Sequence, residues 1–272
     1  MKKTVLILGI LSSFNANAWE PCGTDAEGNT ANCEYQIIDG TLTIRGVGNN
    51  GNIGSWYDSS SGRGISPWID KDVKNIVLED SVKDLGSHGF YTLTAPIKLP
   101  NSITEIPKSA FDHYYGNTLD IPDSVTSIGY MALRGMRYLK NIVVPDNVTL
   151  VDDYAFSLNL DLETLTISDK TDLKDIFKQH RVDTVATNTQ NLKIYCTGDT
   201  KKCDDHLKAA GYPELKSIKA TTKHVNGVTY VFDNKGKLVT TSGRRENKRI
   251  YSIEEASLVS KKTGNTFKLR YK

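Results

Sequence analysis

The residue types that could carry catalysis are few and scattered in this sequence. No G-x-S-x-G elbow, no H-E-x-x-H zinc motif and no Walker loop occurs in it. None of the histidines stands at a catalytic spacing from a partner; they are His88, His113, His180, His206 and His224. We therefore expect no catalytic residue and place the histidines on the surface or in loops.

One glycine-rich segment, Gly46-x-Gly48-x-x-Gly51, fits the dinucleotide-binding fingerprint by its letters and follows a predicted strand at Thr41–Ile44. That fingerprint holds a pyrophosphate only where a helix begins at once, because the helix N-terminus supplies the N–H donors. A Ser/Gly-rich run at Ser59–Gly64 follows here instead. We interpret the segment as a loop and predict no cofactor.

The four cysteines form two close pairs in the sequence, Cys22 with Cys33 and Cys196 with Cys203. In an oxidising compartment, near neighbours give the simplest disulfide pairing. Each short loop closed in this way contributes about 2–3 kcal/mol on the chain-entropy model. The alternative is a zinc site at Cys203-x-x-His206, but two thiolates and one imidazole leave zinc without a fourth ligand. The sequence favours two disulfides and no metal.

The N-terminus has the features of an export signal. Lys2 and Lys3 precede the apolar run Val5–Leu11, and Ala16-Asn17-Ala18 supplies the small residues that a signal peptidase requires. The apolar run is about half of the roughly 20 residues that span a bilayer. The alternative is a buried N-terminal strand. We predict export to the cell surface, the medium or the periplasm, with no transmembrane span in the mature chain.

Composition and charge exclude some classes of protein. The chain has 272 residues, of which 38% are hydrophobic and 24% charged, which predicts one or two globular domains. It has 34 Lys and Arg against 32 Asp and Glu. Removing Lys2 and Lys3 with the signal leaves equal numbers of each sign, which argues against a nucleic-acid partner.

Between the two cysteine pairs, a segment of 21 to 23 residues recurs. The apolar residue that ends each short strand marks the period; the series is Leu78, Leu99, Ile121, Val144 and Ile167. The fifth copy is degenerate, with Thr171 and Lys174 at positions where its neighbours carry Val and Ile. A last strand, Leu192–Ile194, leads into the second cysteine pair.

Each copy has the same internal design. Alternation such as Ile97-Lys98-Leu99 sends two side chains inward and one outward, and the following Pro100 ends the strand. A Val-x-x-Ile pair then returns apolar side chains to the interior, where Phe111 and Phe156 fill the widest part of the coil. This period with one strand per unit predicts an α/β leucine-rich-repeat solenoid with a parallel sheet on one face.

These residues resemble the BspA-like leucine-rich-repeat family of bacterial surface and secreted proteins. The run I-P-D-S-V-T-S-I-G at Ile121–Gly129 is close to the family consensus, and both Asp39–Ile44 and Ser66-Pro67-Trp68 match the segment before the repeats. The resemblance implies a small β-rich N-terminal cap. For function it implies non-catalytic binding at or outside the cell envelope, often adhesion.

The sequence thus predicts four segments. Residues 1–18 are the signal peptide, 19–73 the N-terminal β-rich cap, 74–215 the solenoid and 216–272 a small α+β appendage.

Within the predicted appendage, Val228–Phe232 and Lys237–Thr241 form a hairpin, and a capping box at Ser252 begins a short helix through Lys262. The last predicted element is a strand over Thr266–Tyr271. The basic run Arg244–Arg249 fits either a contact with an anionic surface or a solvated loop.

The predicted binding face is the outward column of side chains along the parallel sheet. Residues at one repeat position stack about 4.8 Å apart and present a fixed pattern to a partner. This column consists of Val77, Lys98, Asp120, Val143, Thr166 and Lys193. Lys98 is expected to face Asp120 across one strand spacing. Tyr114-Tyr115 fits an exposed aromatic contact and packing against the next coil equally well.

Our first functional hypothesis is an exported, non-catalytic protein that binds a protein or glycan partner through this face, in a role such as adhesion. The alternatives are a hydrolase of the envelope and a periplasmic structural or chaperone-like partner. The absence of a converging acid, base and nucleophile in the sequence disfavours the hydrolase.

Overall fold

The computed structural model describes residues 18–179, 182–185, 191–225, 228–242, 257–260 and 267–270. The predicted signal peptide, except for Ala18, lies outside the described residues, as do His180 and the basic run Arg244–Arg249. The described residues are mostly β, with 21 short strands and one helix.

The strands, in chain order, are β1 (Glu20–Pro21), β2 (Cys33–Ile38), β3 (Thr41–Gly46), β4 (Tyr57–Asp58), β5 (Arg63–Gly64), β6 (Asn75–Leu78), β7 (Ile97–Lys98), β8 (Glu105–Ile106), β9 (Ser127–Ile128), β10 (Asn141–Val143), β11 (Leu150–Val151), β12 (Thr164–Ile167), β13 (Asp172–Leu173), β14 (Lys178–Gln179), β15 (Val182–Val185), β16 (Lys193–Cys196), β17 (Ser217–Val225), β18 (Val228–Asp233), β19 (Leu238–Ser242), β20 (Ser257–Ser260) and β21 (Phe267–Arg270). The helix is α1 (Thr200–Ala209).

The N-terminal strands join the first repeats in one sheet, ordered β1-β2-β3-β6-β7. Strands β1 to β3 are antiparallel, whereas β3, β6 and β7 are parallel. Leu42, Ile76 and Ile97 are aligned in this register and are all buried. The alternation of one apolar inward residue with one outward residue therefore continues from the N-terminal hairpin into the repeats.

The later repeats form a second parallel group, β10-β12-β16, in which Ile142, Leu165 and Ile194 are aligned and buried. Between the two groups, residues 119–121 form no strand in the described structure. The outward side chains of the repeats thus belong to two sheets rather than one continuous sheet.

The Val-x-x-Ile segments form a separate four-stranded parallel sheet, ordered β13-β11-β9-β8. The predicted position of Lys174 in the fifth copy, aligned with the inward Val and Ile of its neighbours, is wrong. Leu173 pairs with Val151 and is buried, one residue before Lys174. Thr171 is also buried, and its hydroxyl is satisfied there by a 2.8 Å hydrogen bond that it donates to the carbonyl of Val148. The fifth copy therefore keeps its return strand.

The remaining arc of each unit is built from turns whose N–H groups reach the next unit. Ser109 donates to the carbonyl of Tyr130, and Tyr154 donates to that of Asp175, both at 3.0 Å. Ser109 and Tyr154 have left-handed φ values of 55° and 61°. That conformation is strained for a residue with a side chain and persists only where surrounding contacts enforce it.

The predicted α/β class is therefore wrong for the repeats. Their return segments are short strands and turns, and α1 is the only helix within the described residues. That helix has ten residues, and nothing in the described part of the chain is a helix long and apolar enough to cross a membrane.

A column of large apolar side chains runs through the repeats, and all of its members are fully buried; they are Phe90, Phe111, Leu133, Phe156 and Phe177. The ring centroids of Phe90 and Phe111 are 5.3 Å apart, and those of Phe156 and Phe177 are 6.4 Å apart. The prediction that Phe111 and Phe156 fill the interior is confirmed, and Phe177, which was not predicted, fills it as well.

Tyr212 covers the end of this column, 5.2 Å from the Phe177 ring. Its hydroxyl donates to Asp175 at 2.8 Å and accepts the N–H of Phe177 at 3.0 Å. Burial first, and then this hydrogen bond to a carboxylate, raise the pKa of Tyr212 above its ordinary value.

Both predicted disulfides are present. Cys22 and Cys33 join the N-terminal segment to β2 with a Cα–Cα distance of 5.5 Å, and Cys196 and Cys203 join the end of β16 to α1 at 6.3 Å. All four cysteines are buried. No group of three metal-binding side chains occurs among the described residues.

The C-terminal segment contains the predicted hairpin, β18 with β19. The helix predicted from Ser252 to Lys262 is wrong at residues 257–260, where β20 pairs with β21 in antiparallel register. The sequence Ser-Leu-Val-Ser favours this outcome, because serine and the β-branched valine are weak helix formers. Within the described residues the appendage is thus β-structured, and β21 agrees with the predicted final strand.

The buried ring column predicts a large loss of stability on truncation. Phe111→Ala and Phe156→Ala should each lower the free energy of unfolding by about 3–5 kcal/mol, because each removes a fully buried ring from a close-packed position. Chemical denaturation measures this change. A loss below about 1 kcal/mol at both positions would contradict the assigned core.

Candidate binding surfaces

The N-terminal half of the predicted face is open. Val77 and Lys98 are aligned on neighbouring strands and point outward, with Lys98 exposed and Val77 half-buried. The register extends the row to Thr43 on β3 and Gln36 on β2. These two residues lie outside the predicted column, because the predicted N-terminal cap is separate from the repeat sheet. We call Gln36, Thr43, Val77 and Lys98 the open row.

An aromatic residue and an ion pair border the open row. Arg45 donates to Glu34 at 2.8 and 2.6 Å, and the two residues are paired on adjacent strands. The Arg45 guanidinium lies 4.0 Å from the ring centroid of Trp19. This arrangement fixes a planar cation against an aromatic face beside the row.

Asp120, the predicted partner of Lys98, lies at the edge of the open face and contacts the C-terminal segment instead. Its carboxylate accepts a 3.0 Å hydrogen bond from the hydroxyl of Ser242, at the end of β19. Residues 119–121 form no strand in the described structure, so Asp120 is not held in ladder register with Lys98. The expected pairing of Asp120 with Lys98 is thereby replaced by a contact to the C-terminal segment.

The C-terminal half of the predicted face is covered. Val143 is 6% exposed and Thr166 is 0% exposed. Val143 belongs to a small second core together with Tyr195, Ala220 and Val231. A partner therefore cannot reach Val143 or Thr166 while the C-terminal strands are in place.

The register of β12 and β16 shows that the predicted place of Lys193 in the outward column is wrong. Tyr195, not Lys193, is aligned with Thr166, whereas Lys193 is aligned with Thr164. Lys193 and Tyr195 are two positions apart on β16, so their side chains lie on the same side of the sheet, opposite the buried Ile194. Tyr195 is 7% exposed, so the chain's own strands contact the residue that actually continues the column.

The cover arises from the path of β17. Its first residues pair with β16 in parallel, and its later residues pair with β18 in antiparallel. The resulting sheet, β10-β12-β16-β17-β18-β19, rolls until β19 comes within 8 Å of β10 between Cα atoms. Apolar Ala220, Val231 and Val239 line its inner side. These apolar residues were the sequence signal for a packed face, but the sequence does not specify what they pack against.

Polar contacts hold the rolled sheet at its rim. Thr197 donates to Asp146 at 2.6 Å, and the imidazole of His224 lies 3.8 Å from the carboxylate of Asp123. Together, the contacts of Ser242 with Asp120 and of His224 with Asp123 place two aspartates of the repeats against strands β17 to β19.

Two histidines that are distant in sequence meet at one buried carboxylate. His88 Nε2 lies 3.2 Å from Asp112, and His113 Nδ1 lies 2.6 Å from it. The guanidinium Nε of Arg134 is 3.6 Å away. Spacing along the sequence does not predict this cluster, because the histidines belong to neighbouring units.

The electrostatics of the cluster favour an ionised Asp112. Burial alone would raise its pKa, but hydrogen bonds from His113 and His88 and the charge of Arg134 outweigh burial and hold the pKa below its ordinary value. His88 Nδ1 is buried without a hydrogen-bond partner in the described residues. Asp112 is the hydrogen-bond partner of both imidazoles, through His88 Nε2 and His113 Nδ1.

Comparison with known proteins agrees with the repeat pattern. The family model described as "BspA type Leucine rich repeat region" matches residues 68–180 in six copies. No curated protein matches the chain.

Several solved structures of bacterial proteins are similar in part. A leucine-rich repeat protein from Bacteroides ovatus is 16% identical, with a TM-score of 0.38, over 62% of this chain and 54% of that one. The T. pallidum Leucine Rich Repeat protein is 16% identical, with a TM-score of 0.39, over 68% and 95%. A leucine rich cell surface protein from Faecalibacterium prausnitzii is 21% identical, with a TM-score of 0.38, over 77% and 59%. The chain thus spans about half of the Bacteroides protein.

The rolled sheet predicts a local effect of one substitution. Val231→Asp places an uncompensated charge in the second core, at a cost of several kcal/mol, and should release β17 to β19 from the repeats. Hydroxyl-radical footprinting should then show increased oxidation of Tyr195. Thr241→Asp, at an exposed position of β19, is the matched control and should leave Tyr195 protected. Equal protection of Tyr195 in both variants would contradict the covering role of these strands.

The Asp112 cluster predicts a pH-dependent stability. Folding lowers the pKa of Asp112 below its ordinary value of 3.8, so the ionised carboxylate stabilises the folded protein fully at pH values above 3.8. This stabilisation is lost as the pH falls through the pKa of the folded state. Asp112→Asn should cost about 1–3 kcal/mol at neutral pH. Denaturation at several pH values should show the difference from wild type shrinking below about pH 4. A difference that stays constant down to pH 2 would contradict the assignment.

Proposed function

Since residues 68–180 belong to the BspA-type leucine-rich-repeat family, we propose that this chain is an exported, non-catalytic binding protein. It recognises a protein or glycan partner through the outward face of its repeat sheet, in a role such as adhesion. Repeat proteins of this kind offer extended surfaces on which rigid strands present side chains at fixed spacing.

The proposal includes the organisation inferred from the sequence. Residues 74–215 form a leucine-rich-repeat solenoid, 19–73 its β-rich cap and 216–272 its appendage, after cleavage of a signal peptide at 1–18. The protein acts at the cell surface, in the medium or in the periplasm. The two disulfides support this view, because such bonds persist in oxidising compartments.

The observation that carries the proposal is the open row. Its four side chains lie on four hydrogen-bonded strands, so their positions are fixed by the ladder before any partner binds. Preorganisation of this kind reduces the entropy lost on association. Inward neighbours such as Leu42 and Ile76 are buried, so the outward residues are free to vary without disturbing the core.

The site is smaller than the six residues of the predicted column. Val77 and Lys98 form its C-terminal half, and Gln36 and Thr43 extend it toward the N-terminus. Asp120 marks its boundary, where Ser242 approaches. Val143 and Thr166 belong to the site only if the C-terminal strands leave the sheet, and Lys193 stands in a different row.

The test is a double change in the C-terminal half of the open row, Val77→Asp with Lys98→Glu. Surface plasmon resonance against a defined panel of extracellular-matrix proteins, envelope proteins and immobilised glycans should identify a partner of the wild-type protein. The double variant should bind that partner at least tenfold more weakly, with an unchanged thermal midpoint, because both side chains lie outside the core.

The matched control is Glu105→Lys with Thr126→Asp, two exposed positions of the return-sheet segments. This variant should bind as the wild type does. Equal binding by the double variant and the wild type would show that the partner binds elsewhere and would overturn the assignment of the open row.

A further inference from the structure

A row of aromatic rings runs along the turns of the first repeats, away from the open row. Its members, which we call the aromatic ridge, are Tyr57, His88, Tyr91, His113, Tyr115 and Tyr138. Neither the predicted binding face nor the proposed function uses these residues.

The rings follow one another without a gap. Tyr57 stacks on His88 at a centroid distance of 4.6 Å and lies 6.2 Å from Tyr91. Tyr91 is 5.5 Å from His113, which is 6.5 Å from Tyr115. Tyr138 ends the row, 6.0 Å from Tyr115. The contacts link side chains from the N-terminal segment and from three successive repeat units.

The tyrosines of the ridge are accessible. Tyr57 is 39% exposed and Tyr138 is 55% exposed, which makes them two of the most exposed large apolar residues in the described part of the chain. Tyr91 and Tyr115 are half-buried. The neighbouring Tyr114 behaves differently, because it is fully buried and donates to the carbonyl of Ala95 at 2.7 Å.

The ridge is held rigidly from beneath. Asp112 fixes both imidazoles, as described above. A side chain at Gly64 would place its Cβ 2.7 Å from that of Tyr91, and a side chain at Gly135 would meet the His113 ring at 3.1 Å. The two glycines leave the space that these rings occupy. A preordered row of rings loses little entropy when a ligand binds to it.

The charge of the ridge argues against a nucleic acid. Single strands stack on aromatic rings, but they also require a cationic groove along the backbone. Here Arg134 lies against the buried Asp112, and the Arg137 guanidinium lies 5.9 Å from the Tyr115 ring. The carboxylate of Asp112 offsets the charge of Arg134, so these two arginines do not form a cationic groove.

The chemistry of the ridge argues against a protein partner as well. Protein interfaces derive most of their energy from apolar and aromatic anchors in desolvated pockets. Leu93 and Leu139, which follow ridge residues in the sequence, are buried, whereas Thr92 and Thr94 are exposed and Ile65, next to Gly64, is 44% exposed. The ring planes of Tyr57 and Tyr91 are inclined at 58°, and those of Tyr115 and Tyr138 at 72°, so the ridge offers separate ring surfaces with polar tips rather than one flat apolar surface.

The ligand that fits this surface has flat apolar faces, polar edges and no charge. A pyranose ring meets that description, because its axial C–H groups form an apolar face and its hydroxyl groups surround it. Tyrosine provides the complement, since it combines an apolar ring face with a hydroxyl that donates and accepts hydrogen bonds. We propose that the aromatic ridge is a binding site for a neutral, unbranched oligosaccharide, with successive sugar rings stacked along successive tyrosines.

The test uses isothermal titration calorimetry of the purified protein with three neutral probes, chitohexaose, cellohexaose and xylohexaose, and an array of other neutral oligosaccharides. At least one should bind. Tyr91→Ala and Tyr138→Ala should each weaken that binding at least tenfold, because each removes a stacking face. Tyr91→Phe keeps the ring and should cost less than Tyr91→Ala.

Tyr130→Ala is the matched control, because Tyr130 is also half-exposed but packs against Tyr154 at 5.4 Å, outside the ridge. It should leave saccharide binding unchanged, as should the double change at Val77 and Lys98, which separates this site from the open row. Thermal midpoints exclude unfolding; Tyr138 protrudes enough that its truncation should leave the fold intact.

Three results would overturn the proposal. The first is that no neutral saccharide binds. The second is that one binds but is unaffected by both alanine variants of the ridge. The third is that the ridge variants weaken only the binding of heparin, of oligo(dT) or of a protein, which would assign the rings to an anionic ligand or to a protein partner.

Discussion

Each repeat unit depends on the backbone hydrogen bonds that it makes with the next unit. These bonds run between aligned strands on two sides, as at Ile142 with Leu165 and at Val151 with Leu173, and between turns on the third side, as from Tyr154 to Asp175. A single unit would leave these groups unpaired and its apolar side exposed, which is costly. Stacking therefore fixes the backbone geometry independently of which residues occupy the outward positions.

That constraint creates a difficulty at the C-terminal end of the stack, where the last parallel strand leaves an unpaired edge. Edges of this kind promote association with other chains unless they are covered. The protein covers β16 with its own β17, and the strand then continues into a hairpin that rolls over the outward face. Protecting the edge and covering half of the outward face are thus two results of one strand.

Much of this architecture could be predicted because the repeat period and the inward alternation are local properties of the sequence. The disulfides, the hairpin and the core positions of Phe111 and Phe156 followed from that information. The burial of Thr166 and the meeting of His88 with Asp112 did not follow, because each depends on elements that are remote in the sequence or in neighbouring units. Residue spacing within one unit carries no information on such contacts.

The two proposed binding surfaces, the open row and the aromatic ridge, have separate supports in the stacked backbone. Both surfaces consist of outward residues, and the stacked backbone holds each of them independently of the other. Strand ladders fix Val77 and Lys98, whereas Asp112 and two glycines fix the rings of the ridge. No side chain is shared between the two supports, so substitutions in one surface remove no contact that holds the other, and the two can differ in chemistry on one scaffold.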